Sequence, residues 1–167
     1  AFEQWFERFA ANSYIGVLKC AAVGCVLTFI VQSSSATLGI TIGLAQIGVI
    51  PFETAAALVL GENIGTTITA WLASFGTTAN AKRAAFAHIT FNALGVGWIT
   101  AIFPWYITLI KTFISGSPTG DVSADVTAAI AATHTGFNVV NTLAFLPLAG
   151  VMAKGLTRLI PERCSPI

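Results

Sequence analysis

A run of four polar residues, Gln32–Ser35 with the sequence QSSS, interrupts a long apolar stretch of this chain. No charged residue occurs between Lys19 and Glu53, so the run lies in a segment suited to the hydrocarbon core of a membrane. A polar group without a hydrogen-bond partner costs about 2–7 kcal/mol there, because lipid offers neither donors nor acceptors. Four adjacent polar side chains therefore need partners, and we interpret them as part of a binding site.

The composition indicates an integral membrane protein. Of the 167 residues, 55% are hydrophobic and 9% are charged, whereas an ordinary soluble domain carries about 25% charged residues. A soluble protein of this size has too little interior to bury so much apolar surface, but a bilayer accepts apolar helices of about 20 residues. The expected fold class is therefore all-α, a polytopic membrane protein. Because the net charge is only +1, we expect no nucleic-acid partner.

A second polar cluster, Gly61–Thr67 with the sequence GENIGTT, interrupts the next apolar stretch. Glycine inside a helix costs about 1 kcal/mol relative to alanine, so Gly61 and Gly65 predict a broken helix here. The preceding apolar segment, Ala36–Val49, would form only about 21 Å of helix and is short for a full crossing. This length favours a re-entrant helical hairpin with the QSSS run near its tip.

We predict a single transmembrane domain over residues 1–167. Its four parts are an interfacial helix (1–12), the hairpin with its broken helix (13–80), two transmembrane helices (81–153) and a basic cytoplasmic tail (154–167). The two transmembrane helices are expected at Ala84–Trp105 and Val126–Val151, with a polar loop over Lys111–Asp125 between them. Basic loops tend to remain in the cytoplasm, which places the loop at 82–83 and the tail on that side.

The two polar clusters suit either an anion or a sodium ion. A phosphate-like anion needs hydrogen-bond donors, and serine hydroxyls, the Gln32 amide and free N–H groups at a helix start supply them. Sodium needs oxygen ligands, which backbone carbonyls at a helix break, hydroxyls and Asn63 provide. The alternative interpretation is structural, with hydroxyls bonded to the preceding helical turn and glycines that let helices approach closely.

QSSS followed by NIGTT in the next apolar span resembles the type II sodium–phosphate cotransporter family. The similarity extends to KRAAFAH at 82–88 with Asn92 and to HTGFNVVN at 134–141, so it covers Gly16–Pro147. The resemblance, to the second repeat of a bacterial member, implies two inverted repeats that each carry a QSSS hairpin and a broken helix around a mid-membrane site. It implies a substrate site of Gln32, Ser33, Ser34, Ser35, Asn63, Thr66 and Thr67, and a sodium site of Ser34, Ser35, Asn63, Thr66 and Glu62.

The chain departs from the family pattern in two ways. It contains one QSSS run, so the complementary first repeat must come from the same polypeptide, a second copy or another subunit. We favour the same polypeptide, because the chain begins without methionine and resembles a carboxyl-terminal half. Glu62 stands where relatives commonly have a small residue. It is either a cation ligand or protonatable group beside the anion, or a carboxylate in an aqueous vestibule or paired with a base of the missing half.

The resemblance implies sodium-coupled symport of inorganic phosphate by alternating access, across the cytoplasmic (inner) membrane of a bacterium. The expected partners are phosphate, sodium as coupling ion, the lipid bilayer and the complementary repeat, with no other cofactor. The alternative is a non-transporting membrane module that binds or senses phosphate or another oxyanion. Because no catalytic motif is present, we do not expect an enzyme. His88 with Asn92 and His134 with Asn138, each pair at i,i+4 spacing, are interpreted as interhelical hydrogen-bonding residues.

We predict that Lys82, Arg83 and Arg158 face the cytoplasm, whereas Ser117 and Asp121 face outward, because the basic segments flank two crossings. After replacement of the native cysteines Cys20, Cys25 and Cys164, single cysteines at positions 83 and 117 are treated in intact cells with a membrane-impermeant thiol reagent. We expect labelling at 117 only. Labelling at 83 but not at 117 would reverse the orientation.

Overall fold

A computed structural model describes Ala11 and residues 13–162 of the chain, and over these residues it is entirely helical. The predicted interfacial helix at 1–12 and the end of the predicted tail lie almost wholly outside the described residues. A 3₁₀ turn at Leu146–Leu148 joins the last two α-helices. The α-helices are α1 (Tyr14–Val31), α2 (Ser34–Gln46), α3 (Phe52–Ala73), α4 (Ala79–Ala101), α5 (Phe103–Ser115), α6 (Val126–Phe145) and α7 (Ala149–Leu159).

Helix α3 is the centre of the bundle, because α1, α2, α4 and α6 all pack against it. Its middle is fully buried, with no exposed surface at Ala55, Ala56, Ala57, Val59 and Leu60. Within residues 13–162, three segments are long and apolar enough to cross a membrane: Tyr14–Val31, Ala79–Ala101 and the α6–α7 segment Val126–Leu159. The all-helical membrane architecture expected from composition is confirmed.

The prediction of a broken helix is wrong, because α3 is a continuous α-helix from Phe52 to Ala73. Its glycines serve helix packing instead. A Cβ atom at Gly61 would overlap the carbonyl oxygen of Ala21 in α1, and a Cβ atom at Gly65 would press on the carbonyl oxygen of Cys25. Glycines four residues apart lie on one face of a helix and let two backbones approach, as in the small-xxx-small pattern of membrane helices.

The same contacts give the relative direction of the helices. Ala21 faces Gly61 and Cys25 faces Gly65, so α1 and α3 run parallel. Only Gln32 and Ser33 separate α1 from α2. Because α1 and α3 point the same way, α2 leads the chain back towards the start of α3.

The second half of the chain differs from the predicted spans at two prolines. Near Pro104 the helix breaks after Ala101 and restarts as α5, which makes the first third of the predicted loop helical and delays that loop to Gly116. Near Pro147, α6 ends at Phe145 and the chain continues through the 3₁₀ turn into α7. Proline lacks the N–H that a helix interior requires and clashes with the preceding turn.

Lys82 and Arg83, predicted in a loop, lie in the first turns of α4, which contact the residues that follow α7. The Arg83 Nε atom donates a hydrogen bond to the Ile160 carbonyl at 3.0 Å, and its guanidinium approaches the Glu162 carboxylate at 3.4 Å. The orientation proposed from the basic residues requires these two segments to share one side of the membrane. The first part of the predicted basic tail, with Lys154 and Arg158, is helical.

We predict that Gly61→Ala lowers the melting temperature of the purified protein in detergent, because the new methyl group forces α1 away from α3. Overpacking of this kind costs about 1–3 kcal/mol. Gly97→Ala is the matched control, since Gly97 is an exposed helical glycine with nothing within 4 Å of an added Cβ. The control should leave stability unchanged or raise it by up to about 1 kcal/mol. Equal gains at both positions would mean that α1 and α3 do not pack through Gly61.

Candidate functional site

The QSSS run forms the turn between α1 and α2. Gln32 ends α1 in the left-handed conformation, with φ of 55°, and its N–H donates to the Thr28 carbonyl at 2.7 Å. It is the one non-glycine residue with positive φ in the described part of the chain. This conformation costs an L-residue about 1–2 kcal/mol, and glycine is the usual residue at such a helix end. A strained glutamine here indicates a use for its side chain.

Ser33 starts α2 as its N-cap. The Ser33 Oγ atom accepts a hydrogen bond from the Ala36 N–H at 3.3 Å, and the Ser33 carbonyl accepts one from the Thr37 hydroxyl at 3.0 Å. The N–H groups of Ser34 and Ser35 in the first turn have no acceptor within the helix. Free N–H groups and the helix dipole make such an end attractive to an anion.

The QSSS side chains are also accessible. Gln32, Ser33 and Ser35 are exposed and Ser34 is half-buried. In a chain with so few charged residues, an exposed cluster of four polar side chains on a helix end is a surface for a polar solute or a polar partner. The four residues therefore share one position in the fold, and their assignment to one binding site stays a prediction.

The second cluster lies inside α3, where its hydroxyls bond to their own helix. The Thr66 Oγ1 atom donates to the Glu62 carbonyl at 2.9 Å, and the Thr67 Oγ1 atom donates to the Ile64 carbonyl at 2.7 Å. These are the backbone contacts that the structural interpretation anticipated. Each hydroxyl oxygen still has lone pairs. The two threonines can therefore accept hydrogen bonds or bind a cation, but their hydroxyl hydrogens are already donated to backbone carbonyls.

The side chain of Asn63 is held from two sides. Its Nδ2 atom donates to the Val59 carbonyl at 2.9 Å, and its Oδ1 atom accepts from the Asn138 Nδ2 atom of α6 at 3.2 Å. Asn138 thus forms the interhelical bond expected of it. The Asn92 Nδ2 atom instead donates to the His88 carbonyl of its own helix. This hydrogen bond lies within α4 and does not join two helices.

The two polar clusters lie at neighbouring levels of the bundle. Thr28 of α1 contacts the backbone position of Gly65, and Gln32 follows Thr28 by one turn, about 6 Å along the axis. Because α1 and α3 are parallel, the QSSS turn lies beside the part of α3 that follows Gly65, where Thr66 is found. No hydrogen bond joins the two clusters within residues 13–162.

Thr41 is a site residue that sequence reasoning missed. Its Oγ1 atom donates to the Glu62 Oε1 atom at 2.7 Å and connects α2 to α3. The signal was present in the sequence, because Thr37 and Thr41 are polar residues four apart on a helix that is otherwise apolar, and such a pair shares one face. Both threonines are fully buried.

Comparison with known proteins identifies a family model and several relatives that match this chain. A family model described as Na+/Pi-cotransporter matches residues 1–112. The uncharacterised protein YqeW of Bacillus subtilis (strain 168) is 37% identical over 141 residues, 84% of this chain and 43% of YqeW. Human sodium-dependent phosphate transport protein 2B is 43% identical over 99 residues, 57% of this chain and 13% of that protein.

A further bacterial relative is YjbB of Escherichia coli O157:H7, provisionally named as an inorganic phosphate export protein. It is 30% identical over 138 residues, which cover 83% of this chain and 24% of YjbB. The chain thus spans less than half the length of each of these relatives. No solved structure matches it significantly.

These findings agree with the fold. The described part of the chain has three segments apolar enough to cross a membrane, and the chain has bacterial relatives, so we assign it as an integral protein of the cytoplasmic (inner) membrane of a bacterium. A transporter family also agrees with the expectation that it is not an enzyme. Since the family model covers residues 1–112 of 167, this chain belongs to the Na+/Pi-cotransporter family.

Proposed function

We propose that this chain forms one half of a sodium-coupled symporter of inorganic phosphate that works by alternating access. The observation that carries the proposal is the QSSS turn, where a strained Gln32 and the free N–H groups of Ser34 and Ser35 meet at an accessible helix start. Family membership supports the solute, since relatives carry the name sodium-dependent phosphate transport protein.

Phosphate would bind at the start of α2. The Gln32 amide, the hydroxyls of Ser34 and Ser35 and their backbone N–H groups supply donors without a buried arginine. The Ser33 hydroxyl already caps the helix, so its contribution is to hold the turn in shape. On α3, Asn63, Thr66 and Thr67 complete the proposed substrate set, and they act there chiefly through oxygen atoms.

The continuous α3 changes how sodium is held. A broken helix would free backbone carbonyls for the ion, but the carbonyls of α3 are engaged in helical hydrogen bonds. From α3, sodium would therefore be bound by side-chain oxygens. The proposed ligands are Ser34, Ser35, Asn63, Thr66 and Glu62.

The rest of the site would come from a complementary inverted repeat. We propose that α1 and α2 form a re-entrant hairpin and that the exposed QSSS residues face the other repeat. The close packing of α1 on α3 through Gly61 and Gly65 makes α1, α2 and α3 a unit that moves as one body. Alternating access then follows from rocking of this unit against the other repeat.

Transport is tested in proteoliposomes that contain this chain together with the complementary repeat. Radiolabelled phosphate should accumulate under an inward sodium gradient and not under an equal potassium gradient. Phosphate that binds without crossing the membrane would support the alternative, a non-transporting sensor. Proteoliposomes loaded with radiolabelled phosphate test efflux. Export is the direction of transport that the name of the E. coli relative YjbB gives. Absence of both flux and binding would contradict the proposal.

We predict that Gln32→Gly raises the melting temperature and abolishes sodium-dependent phosphate uptake. Glycine relieves the left-handed backbone at φ 55° but removes the amide that we assign to phosphate. The relief is worth about 1–2 kcal/mol. Ser34→Ala should likewise abolish uptake at normal abundance in the membrane, because it removes a donor at little cost to the helix.

Gln46→Ala is the matched control for the loss of a glutamine amide. Gln46 lies at the other end of α2, where its side chain donates to the Thr127 hydroxyl at 2.8 Å, and its replacement should preserve uptake. Normal uptake by both Gln32→Gly and Ser34→Ala would make the QSSS run a structural turn.

A further inference from the structure

Glu62 is a carboxylate in the interior of the bundle. It is 1% exposed, and its Oε1 atom accepts the hydrogen bond from the Thr41 hydroxyl at 2.7 Å. Its Oε2 atom is buried and has no hydrogen-bond partner among the described residues. The ion pairs found in that part of the chain use Glu53 and Glu162 instead. A buried charge without compensation is strongly unfavourable, so Glu62 is neutralised either by a proton or, when it is ionised, by a positive charge from another source.

Among the described residues, no basic side chain of a neighbouring helix forms an ion pair with Glu62. Lys19 of α1 is exposed, and Arg83 of α4 is engaged with Ile160 and Glu162. Helix α2 contains no basic residue. His134 of α6 makes no hydrogen bond to either Glu62 oxygen. The compensating charge is therefore best supplied by a bound cation.

Two of the helices packed beside this carboxylate carry buried hydroxyl groups. Besides Thr41, the Thr28 hydroxyl of α1 is buried and lacks a hydrogen-bond partner within the described chain. Thr28 contacts α3 at Gly65, about one helical turn from Glu62. Hydroxyl and carboxylate oxygens are ligands for hard cations. A single carboxylate carries one negative charge, so a monovalent ion neutralises it, whereas a divalent ion would leave a buried positive charge.

The distance along α2 separates this position from the QSSS turn. Thr41 follows Ser34 by seven residues, which is about 10 Å along a helix. One ion cannot contact Ser34 and Glu62 together, because its oxygen ligands lie only about 2.3–2.6 Å away for an ion the size of calcium. The single sodium site proposed above, with Ser34, Ser35 and Glu62 as joint ligands, must divide into two positions.

We propose that Glu62, Thr41 and Thr28 form a separate, buried sodium site where α1, α2 and α3 meet. The inference deepens the proposed function, since it assigns one coupling ion to a place of its own. Sodium bound there joins α2 to α3 and thereby fixes the hairpin on the central helix. The QSSS turn then receives phosphate on a unit that the ion has already made rigid.

The test measures binding without transport and without phosphate. Melting temperatures of the purified protein in detergent are recorded in NaCl, KCl and choline chloride at constant ionic strength. The wild type should be stabilised saturably by sodium. Glu62→Gln keeps an acceptor for the Thr41 hydroxyl but removes the negative charge. In choline chloride this variant should therefore melt at a higher temperature than the wild type. Sodium should not stabilise it through the site at position 62.

Further variants isolate the site. Glu53→Gln removes another carboxylate of the same helix, which is paired with Lys111 at 2.6 Å, and should keep the sodium response. Gln46→Ala, at the far end of α2, should also keep it, whereas the double variant Ser34→Ala/Glu62→Gln, which disables both proposed sodium positions, should lose it entirely. Thr41→Val should raise the half-saturating sodium concentration about tenfold, equivalent to 1.4 kcal/mol, and Thr41→Ser should restore it.

Sodium stabilisation that persists fully in Ser34→Ala/Glu62→Gln would overturn the proposal. Stabilisation of the wild type by acidic pH, with no difference between sodium and choline, would overturn it as well, because a proton would then neutralise Glu62. A protein that fails to move phosphate but shows the Glu62-dependent sodium response would contradict the proposed transport and leave this site standing.

Discussion

The close contact between α1 and α3 is the constraint on which the rest of the structure depends. Gly61 and Gly65 of α3 meet the backbone of α1 at Ala21 and Cys25, and Gly24 of α1 meets Leu58 in return. Within lipid there is little hydrophobic drive to bring helices together, so packing at small residues provides the attraction. This contact places the QSSS turn beside the polar part of α3.

The same contact limits the chemistry available to the site. Because α3 stays helical through the GENIGTT cluster, its backbone carbonyls are engaged in helical hydrogen bonds, and α3 can contribute to an ion site, as α2 can, through polar side chains. Those side chains fall into two groups. An accessible group lies at the start of α2 and a buried group surrounds Glu62, which Thr41 holds from the opposite helix.

Much of this arrangement follows from the sequence, and the errors have identifiable causes. The membrane class, the QSSS turn and the interhelical role of Asn138 were all predicted from residue types and spacing. The prediction of a broken helix was wrong. Glycine has the same local cost in a helix whether it ends the helix or lets a neighbouring backbone approach, so the sequence does not separate the two cases. The additional helix α5 was missed because Lys111, which pairs with Glu53 of α3, was taken as the start of a loop.

The sequence by itself determined that this chain enters a membrane and that polar residues at QSSS and GENIGTT must find partners there, since both conclusions rest on transfer free energies of individual residues. Tertiary structure decided which partners they find. Thr41 reaches Glu62 and Asn138 reaches Asn63 only because separate helices meet around α3. Such contacts, between residues 21 and 75 positions apart, depend on how whole helices pack, and local sequence patterns do not specify that packing.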